Sequence, residues 1–268
     1  MSLSGKHGLV TGSSRGIGRG IALKLAAEGA AVGITYYQNE AAARDVLAKV
    51  RERGSDGFIM QMDVCRCDDI DRLFTRVADE FGTLDIVVSN ARGELPTFYQ
   101  SPLEITPEQW DTACDSQGRA LLLEAQRAAQ LMGRGGRIIA LTYGDGSRTG
   151  SWQPWVAMGA AKAGVESLVR YLAVALAKRG ITVNAVSPGF TEDSVLSSLP
   201  LEAQAMVRGW HEDGWTPMGR LGTPADVANV VALLCSEEAG WITGQVIYAD
   251  GGASLVTAGL PPALQQRA

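Results

Sequence analysis

Short apolar runs alternate along the chain with longer segments in which apolar residues recur at helical spacing. The runs have the length of strands, whereas the longer segments have the period of helices. The predicted strands are His7–Thr11, Ala31–Tyr36, Phe58–Met62, Leu84–Ser89, Arg137–Thr142, Ile181–Val186 and Val246–Ala249. The predicted helices are Ile17–Glu28, Glu40–Arg53, Asp68–Phe81, one or two helices within Pro107–Met132, Ala160–Arg179 and Pro224–Cys235. This alternation predicts an α/β fold, a doubly wound parallel sheet of about seven strands with helices on both faces.

No linker interrupts the pattern, so we expect a single domain over residues 1–268. One long irregular stretch, Phe190–Gly222, carries Trp210 and Trp215 between a strand and a helix. Open α/β sheets bind ligands at the carboxyl ends of their strands, and long connections in compact domains are usually functional or disordered. We therefore interpret residues 190–222 as a substrate lid, with an ordinary helical insertion as the alternative.

Composition excludes several classes of protein. Of 268 residues, 46% are hydrophobic and 20% charged, which supports a sizeable core and excludes a disordered chain. The net charge of −5 gives no reason to expect nucleic acid or an anionic membrane as a partner. Four cysteines and two distant histidines predict neither a disulfide framework nor a metal site. Without a signal sequence or a membrane-length apolar run, a cytoplasmic protein is expected.

A glycine-rich loop joins the first predicted strand to the first predicted helix. It reads TGSSRGIG over Thr11–Gly18, and its spacing differs from the general G-x-G-x-x-G pattern. Glycines there permit a tight turn and a close approach to a pyrophosphate, whose charge the N–H groups of the helix start would face. The loop predicts a Rossmann-type dinucleotide site with contacts from Gly12, Ser14, Arg15, Gly16, Ile17 and Gly18.

The end of the second predicted strand selects between the two nicotinamide cofactors. An acidic residue usually lies there when the ribose 2′-hydroxyl of NAD is bound. Here Thr35–Asn39 contains no acid, and Glu40 is the first one. Arg15 lies in the glycine loop, where a guanidinium can meet a 2′-phosphate. The sequence therefore favours NADPH, with Arg15 as a solvated surface charge being the alternative.

Further motifs follow in a fixed order. They are Asp63-Val64, Ser89-Asn90-Ala91, Gly135–Ile139, Ala161-Lys162-Ala163, Ile181–Gly189, Ile242–Gln245 and Asp250–Gly252. With the glycine loop, this set resembles the short-chain dehydrogenases/reductases over nearly the whole chain. The resemblance implies a homotetramer and further cofactor contacts from Asp63, Val64, Asn90, Ala91, Lys162, Pro188, Gly189 and Thr191.

The usual catalytic residues of that superfamily are largely replaced. Its members use a Ser, an upstream Asn and a Tyr-x-x-x-Lys pair. Lys162 matches the Lys, but Met158 stands in the place of the Tyr and Tyr143 in the place of the Ser. Gln117 stands where Asn is expected, and Arg92 where a glycine is usual. The ordinary machinery for carbonyl reduction is therefore mostly absent.

The chain more closely resembles the enoyl-thioester (enoyl-ACP/CoA) reductases, which carry Tyr-x-x-Met-x-x-x-Lys. Met158 and Lys162 fit this frame, and Trp155 replaces the Tyr. Ketone reduction makes an alkoxide that needs an acid at once, whereas enoyl reduction makes a delocalised thioenolate that needs hydrogen-bond donors. An indole N–H can donate a hydrogen bond but cannot protonate. The sequence thus predicts NADPH-dependent reduction of the 2,3 double bond of an enoyl thioester on CoA or acyl carrier protein.

Roles follow for the residues around this frame. Trp155 and Tyr143 bind the thioester oxygen or line the pocket, Lys162 holds the nicotinamide ribose, and water or His211 protonates the α-carbon. The residues expected to contact substrate are Arg92, Trp152, Met158, Trp210 and Trp215. For Arg92, Asp145 and His211, solvated or structurally paired side chains are the alternative. Asp193 stands where a Thr often binds the carboxamide, a role that Thr191 could take.

Other functions remain open. One is a tailoring reductase for an imine or iminium, or a cofactor-assisted cyclase, in which Asp145 or Glu94 lies near a cationic substrate. An iminium already carries its charge and needs no acid when hydride arrives. The others are a ketoreductase and a non-catalytic NADP-binding protein.

Overall fold

Seven parallel strands form the centre of the computed structural model, which describes residues 2–94, 99–144, 154–193, 196–256 and 261–266. The strands are β1 (His7–Val10), β2 (Ala31–Tyr36), β3 (Gly57–Gln61), β4 (Ile86–Ser89), β5 (Arg137–Leu141), β6 (Thr182–Pro188) and β7 (Val246–Ala249). They form one sheet in the order β3-β2-β1-β4-β5-β6-β7, with every neighbouring pair parallel. The predicted fold class is confirmed.

Helices cover both faces of the sheet. They are α1 (Gly16–Ala27), α2 (Glu40–Glu52), α3 (Cys67–Phe81), α4 (Pro107–Cys114), α5 (Ala120–Leu131), α6 (Val156–Leu176), α7 (Leu201–Trp210), α8 (Pro224–Cys235) and α9 (Pro262–Gln265). One apolar core joins α1, α2 and α8 to one face, and a second joins α3, α5 and α6 to the other. Alternate residues of β4 enter the two cores, Ile86 and Val88 the first and Val87 the second. Because both faces are covered, the strands are continuous apolar runs.

Local signals explain several helix boundaries. Pro224 opens α8, and the Thr223 hydroxyl accepts a hydrogen bond from the Asp226 N–H while the Asp226 carboxylate accepts one from the Thr223 N–H. The start of α6 lies at Val156, four residues before the predicted Ala160. Its first residue follows Trp155, whose side chain makes no capping hydrogen bond, so no capping residue marks this boundary in the sequence.

Two stretches near the site contain turns of π-helix that the sequence did not predict. The predicted helical stretch 107–132 contains α4, one turn of π-helix at Asp115–Arg119, and α5. The predicted irregular stretch 190–222 contains a short 3-10 turn, α7 and a second π-turn at His211–Trp215. Its ends meet, because the Glu192 N–H donates to the Gly222 carbonyl oxygen at 2.8 Å. No helix of the described part has the length and apolar character needed to cross a membrane.

Candidate active site

The glycine loop after β1 fits against the end of β4. Gly12 has a φ of +63°, and a Cβ there would lie 2.9 Å from the Cα of Ala91. A Cβ at Gly18 would lie 2.5 Å from both the Asn90 Nδ2 and the Gly12 carbonyl oxygen. Side chains are therefore excluded at both positions. The glycines create the close backbone approach that a pyrophosphate site requires.

Hydrogen bonds from the neighbouring strands hold this loop. The Asn90 Nδ2 donates to the carbonyl oxygens of Thr11 and Gly12 at 2.9 and 3.1 Å. The Thr11 hydroxyl accepts from the N–H groups of Asn90 and Ala91, and the Thr35 hydroxyl accepts from the Gly12 N–H at 2.9 Å. The side chain of Asn90 thus supports the loop that was predicted to bind the cofactor.

The start of α1 and the end of β2 form the adjoining part of the cleft. Arg15 is the residue that precedes α1, and its side chain is exposed. The first N–H groups of a helix lack partners within the helix and attract an anion. After β2, Asn39 caps α2 by accepting from the Ala42 N–H at 2.9 Å. The residues present fit a phosphorylated ribose, because a guanidinium is available and Tyr37, Gln38 and Asn39 carry no negative charge.

The remaining predicted cofactor contacts follow other strand ends. Asp63 follows β3, where its Oδ1 accepts from the Cys65 N–H at 2.9 Å, and the neighbouring Val64 is buried. Gly189 follows β6, and the Thr191 hydroxyl donates to its carbonyl oxygen at 2.9 Å. A Cβ at Gly189 would lie 2.8 Å from the Cα of Asp250. Because the strands are parallel, all these residues lie at one edge of the sheet.

Lys162 is a buried cation at the same edge. It lies on α6, and its Nζ donates to the Leu141 carbonyl oxygen at the end of β5, at 2.5 Å. Burial, with a smaller contribution from the positive charge of Arg92, lowers the pKa of Lys162 to about 7. The carboxylates of Glu124 and Glu166 act in the opposite direction. Glu166 itself accepts from the Thr142 hydroxyl at 2.9 Å.

Two aromatic residues adjoin the elements that carry Lys162 and its acceptor. Tyr143, two residues beyond the end of β5, and Trp155, just before α6, are both half-buried. The Trp155 ring packs edge-on against Tyr99, with ring centroids 5.5 Å apart. Met158 is only 2% exposed and packs in an apolar cluster with Ala113. The side chain of Met158 is therefore part of a core, and its predicted contact with substrate stays a prediction.

Arg92 and Arg15, both predicted to contact ligands, lie close enough for their charges to interact. The half-buried Arg92 donates to the Gly93 carbonyl oxygen at 3.0 Å. Burial and the positive charge of Arg15 lower its pKa, and the negative charge of Asp193 raises it. Two guanidinium groups and one carboxylate therefore share this region, and the excess positive charge favours an anionic ligand.

The stretch predicted to form a lid exposes its two tryptophans and buries its histidine. Trp210 and Trp215 are 51% and 39% exposed. His211 between them is buried, with its Nδ1 2.6 Å from the Thr216 hydroxyl oxygen and its ring 5.0 Å from that of Phe190. Burial lowers the pKa of His211, so its ring is neutral near pH 7 and is a weak candidate for a proton donor. Asp145 and Trp152 lie outside the described residues.

Two buried polar residues were given no role in the predicted site. Gln117, which stands where the family's Asn is expected, lies in the π-turn between α4 and α5, and such turns are frequent at functional sites. Glu124 lies on α5 and is completely buried. The burial of Glu124 could have been inferred from the sequence, because helical spacing places it on one face with the apolar Leu121 and Ala128.

A parallel sheet with a glycine loop at its first strand end defines a dinucleotide-binding protein of the Rossmann type. Residues 12–254 match the family model described as enoyl-(acyl carrier protein) reductase. The chain belongs to this family of short-chain dehydrogenases/reductases.

The names of its relatives indicate that they reduce different chemical groups. The chain is 38% identical over 250 residues to 1-cyclohexenylcarbonyl-CoA reductase of Streptomyces collinus, which covers 92% of this chain and 86% of that protein. It is 36% identical over 251 residues to 3-oxoacyl-[acyl-carrier-protein] reductase of Staphylococcus aureus, covering 92% and 97%. The structure of the angucycline C-6 ketoreductase LanV with bound NADP is similar, with a TM-score of 0.84, 35% identity and coverage of 95% and 98%. Family membership alone therefore does not name the group that is reduced.

Proposed function

We propose that the protein reduces the 2,3 double bond of an enoyl thioester carried on CoA or acyl carrier protein. The cofactor is NADPH, which supplies the hydride. Similar structures contain NADP, and the residues after β2 carry no acid that would prefer the 2′-hydroxyl of NAD. The observation that carries the proposal is the half-buried Trp155 at the start of α6, in the frame that ends at the buried Lys162.

The argument rests on where negative charge develops. Hydride addition to an enoyl thioester leaves the charge spread over a thioenolate, which is stabilised by hydrogen bonds to its oxygen. Hydride addition to a ketone leaves an alkoxide that must take up a proton as it forms. The indole N–H of Trp155 can donate a hydrogen bond but no proton near pH 7. Replacing an acid by Trp155 therefore lowers the rate of ketone reduction more than the rate of enoyl reduction.

Each residue of the site then has one role in the proposal. Trp155 and the Tyr143 hydroxyl donate to the thioester oxygen, and Lys162 holds the nicotinamide ribose. Arg92 meets an anionic part of the substrate or its carrier. Water protonates the α-carbon, because the pKa of His211 is lowered by burial. Residues 190–222 cover the acyl chain.

A direct assay tests this proposal. Purified protein is mixed with NADPH and either crotonyl-CoA or acetoacetyl-CoA, and cofactor oxidation is followed by absorbance, with NADH as the control. We expect crotonyl-CoA to be reduced at least about tenfold faster than acetoacetyl-CoA, a difference of ~1.4 kcal/mol in the barrier. Oxidation with the ketone alone would overturn the proposal.

Ketone reduction is the second candidate, and a specific observation favours it. Tyr143 carries a phenol at the end of β5, next to the Thr142 and Leu141 positions that contact Glu166 and Lys162. A phenol can give up a proton, so Tyr143 could replace the missing acid. In the same assay, loss of acetoacetyl-CoA reduction in Tyr143→Phe would identify this route.

A further inference from the structure

Glu124 is a carboxyl buried in the helical layer below the site. It is 0% exposed on α5, on the same face as the apolar Leu121, Ala125 and Ala128. Within the described part of the chain, neither of its carboxylate oxygens has a partner in hydrogen-bonding geometry. Burying an unpaired charge is costly, so such a group must be neutral or offset by a nearby charge.

The strand pattern places Glu124 beneath the cofactor edge. Ser89, at the end of β4, alternates with Ile86 and Val88 and so faces the same core as α5 and α6. Thr11, which follows Leu9 and Val10, faces that side by the same alternation. The hydroxyls of Ser89 and Thr11 approach Glu124 closely enough to favour its ionised form, although neither completes a hydrogen bond by geometry.

Lys162 on α6 reaches the same layer, where it donates to the neighbouring strand β5. Ser89 pairs with Ala140, and the Leu141 carbonyl that accepts from Lys162 is the next residue of β5. Adjacent strands lie about 4.8 Å apart, so the positions facing Glu124 and Lys162 are neighbours. The two helices that carry these residues cover the same face of the sheet.

The two groups act on each other's charge. Burial raises the pKa of Glu124 to about 7, and the charge of Lys162 opposes this. Burial lowers the pKa of Lys162 to about 7, with Arg92 acting in the same direction and both carboxylates opposing. Glu166 is already engaged by the Thr142 hydroxyl at 2.9 Å, so Glu124 is the less satisfied carboxyl.

We propose that Glu124 is a positioning residue that keeps Lys162 in its ammonium form, through the attraction between a buried carboxylate and a buried cation. The ammonium offers its hydrogen-bond donors to the ribose hydroxyls of NADPH, and the neutral amine offers fewer. The inference rests on the part of the proposed function in which Lys162 holds NADPH, and it is independent of which substrate is reduced.

The test replaces the carboxyl by an amide of nearly the same shape. In Glu124→Gln the pKa of Lys162 falls, because an opposing negative charge is lost. We expect NADPH affinity to weaken about tenfold near pH 8 and to change less than about twofold near pH 6. NADPH binding is titrated by fluorescence at each pH. Glu28→Gln, at the end of α1 on the opposite edge of the sheet, is the matched control and leaves the pH profile unchanged.

Other outcomes separate this inference from its alternatives. A purely structural role of Glu124 weakens NADPH binding equally at all pH values, and that result would overturn the inference while leaving the proposed function intact. Absence of NADPH binding by the wild-type chain would overturn both. If Glu124→Gln does not fold, carboxyl-labelled glutamate in the wild type supplies a second readout by ¹³C NMR. We expect one carboxyl resonance to titrate near neutral pH, and its absence would also overturn the inference.

Discussion

Trp155 and Tyr143 provide the two hydrogen-bond donors that this proposal assigns to the thioester oxygen. Both are half-buried beside the edge where Lys162 binds the Leu141 carbonyl oxygen. Their chemistry differs, because the indole only donates whereas the phenol can also release a proton. Substitutions at these two positions therefore separate hydrogen bonding from acid catalysis.

Trp155→Phe keeps an aromatic ring and removes the N–H. We expect kcat/KM for crotonyl-CoA to fall about tenfold, or ~1.4 kcal/mol, which is the size of one hydrogen bond. Trp155→Tyr supplies an acid and should gain measurable reduction of acetoacetyl-CoA. Steady-state kinetics measure both effects, and Trp241→Phe, at a 98% exposed residue, is the control. If Trp155→Phe and Tyr143→Phe both keep full turnover, the assignment is wrong.

Gly18→Ala tests the fit between the glycine loop and β4. The added Cβ would lie 2.5 Å from the Asn90 side chain and from the Gly12 carbonyl oxygen, so the loop must move. We expect NADPH affinity to fall about tenfold or more in fluorescence titrations. Gly133→Ala is the matched control, because a Cβ at this exposed position after α5 meets nothing within 4 Å. It should keep the affinity.

The elements of the fold were predictable wherever local pattern decides. Ala31–Tyr36, Pro224–Cys235 and Val246–Ala249 agree with their predicted bounds, because their apolar periods end at clear turn or capping residues. The start of α6 was missed because Trp155 makes no capping hydrogen bond. Helix α7 was foreseen only as the alternative of a helical insertion, because its buried Val207 packs against Leu196 and Leu221, a contact that no periodicity reveals.

His211 links the stability of the stretch 190–222 to pH. Burial lowers its pKa, so the folded state prefers the neutral ring. The stabilisation is complete above the unfolded pKa of about 6.5 and is lost as the pH falls below it, because the unfolded chain then binds more protons. We expect the free energy of unfolding in urea to decrease from about pH 7.5 to about pH 5.5. His211→Gln should show a smaller decrease, and an unchanged slope would contradict this interpretation.

The whole molecule presents apolar side chains that one chain does not cover. Tyr171 and Val174 on α6 are 75% and 80% exposed. Exposed apolar patches of this kind commonly mark interfaces between subunits. We propose that this face of α6 pairs with a second copy of the chain in the homotetramer that the family resemblance implies.

Light scattering tests this assembly. Wild-type protein should have about four times the 28.3 kDa mass of one chain. Val174→Glu places a charge in the interface and should reduce the mass, whereas Leu103→Glu, at a residue 96% exposed outside α6, should not. A wild-type mass of one chain would contradict the proposal.

The sequence by itself determined the sheet of alternating elements, the glycine loop and the preference for NADPH, because these depend on periodicity and on residues adjacent in the chain. Only the tertiary structure decided that Met158 packs in a core, that Trp210 and Trp215 are exposed, and that Glu124 is completely buried. Burial and charge coupling join positions far apart in sequence. The charges of Glu124 and Lys162 act on each other only because α5 and α6 cover the same face of the sheet.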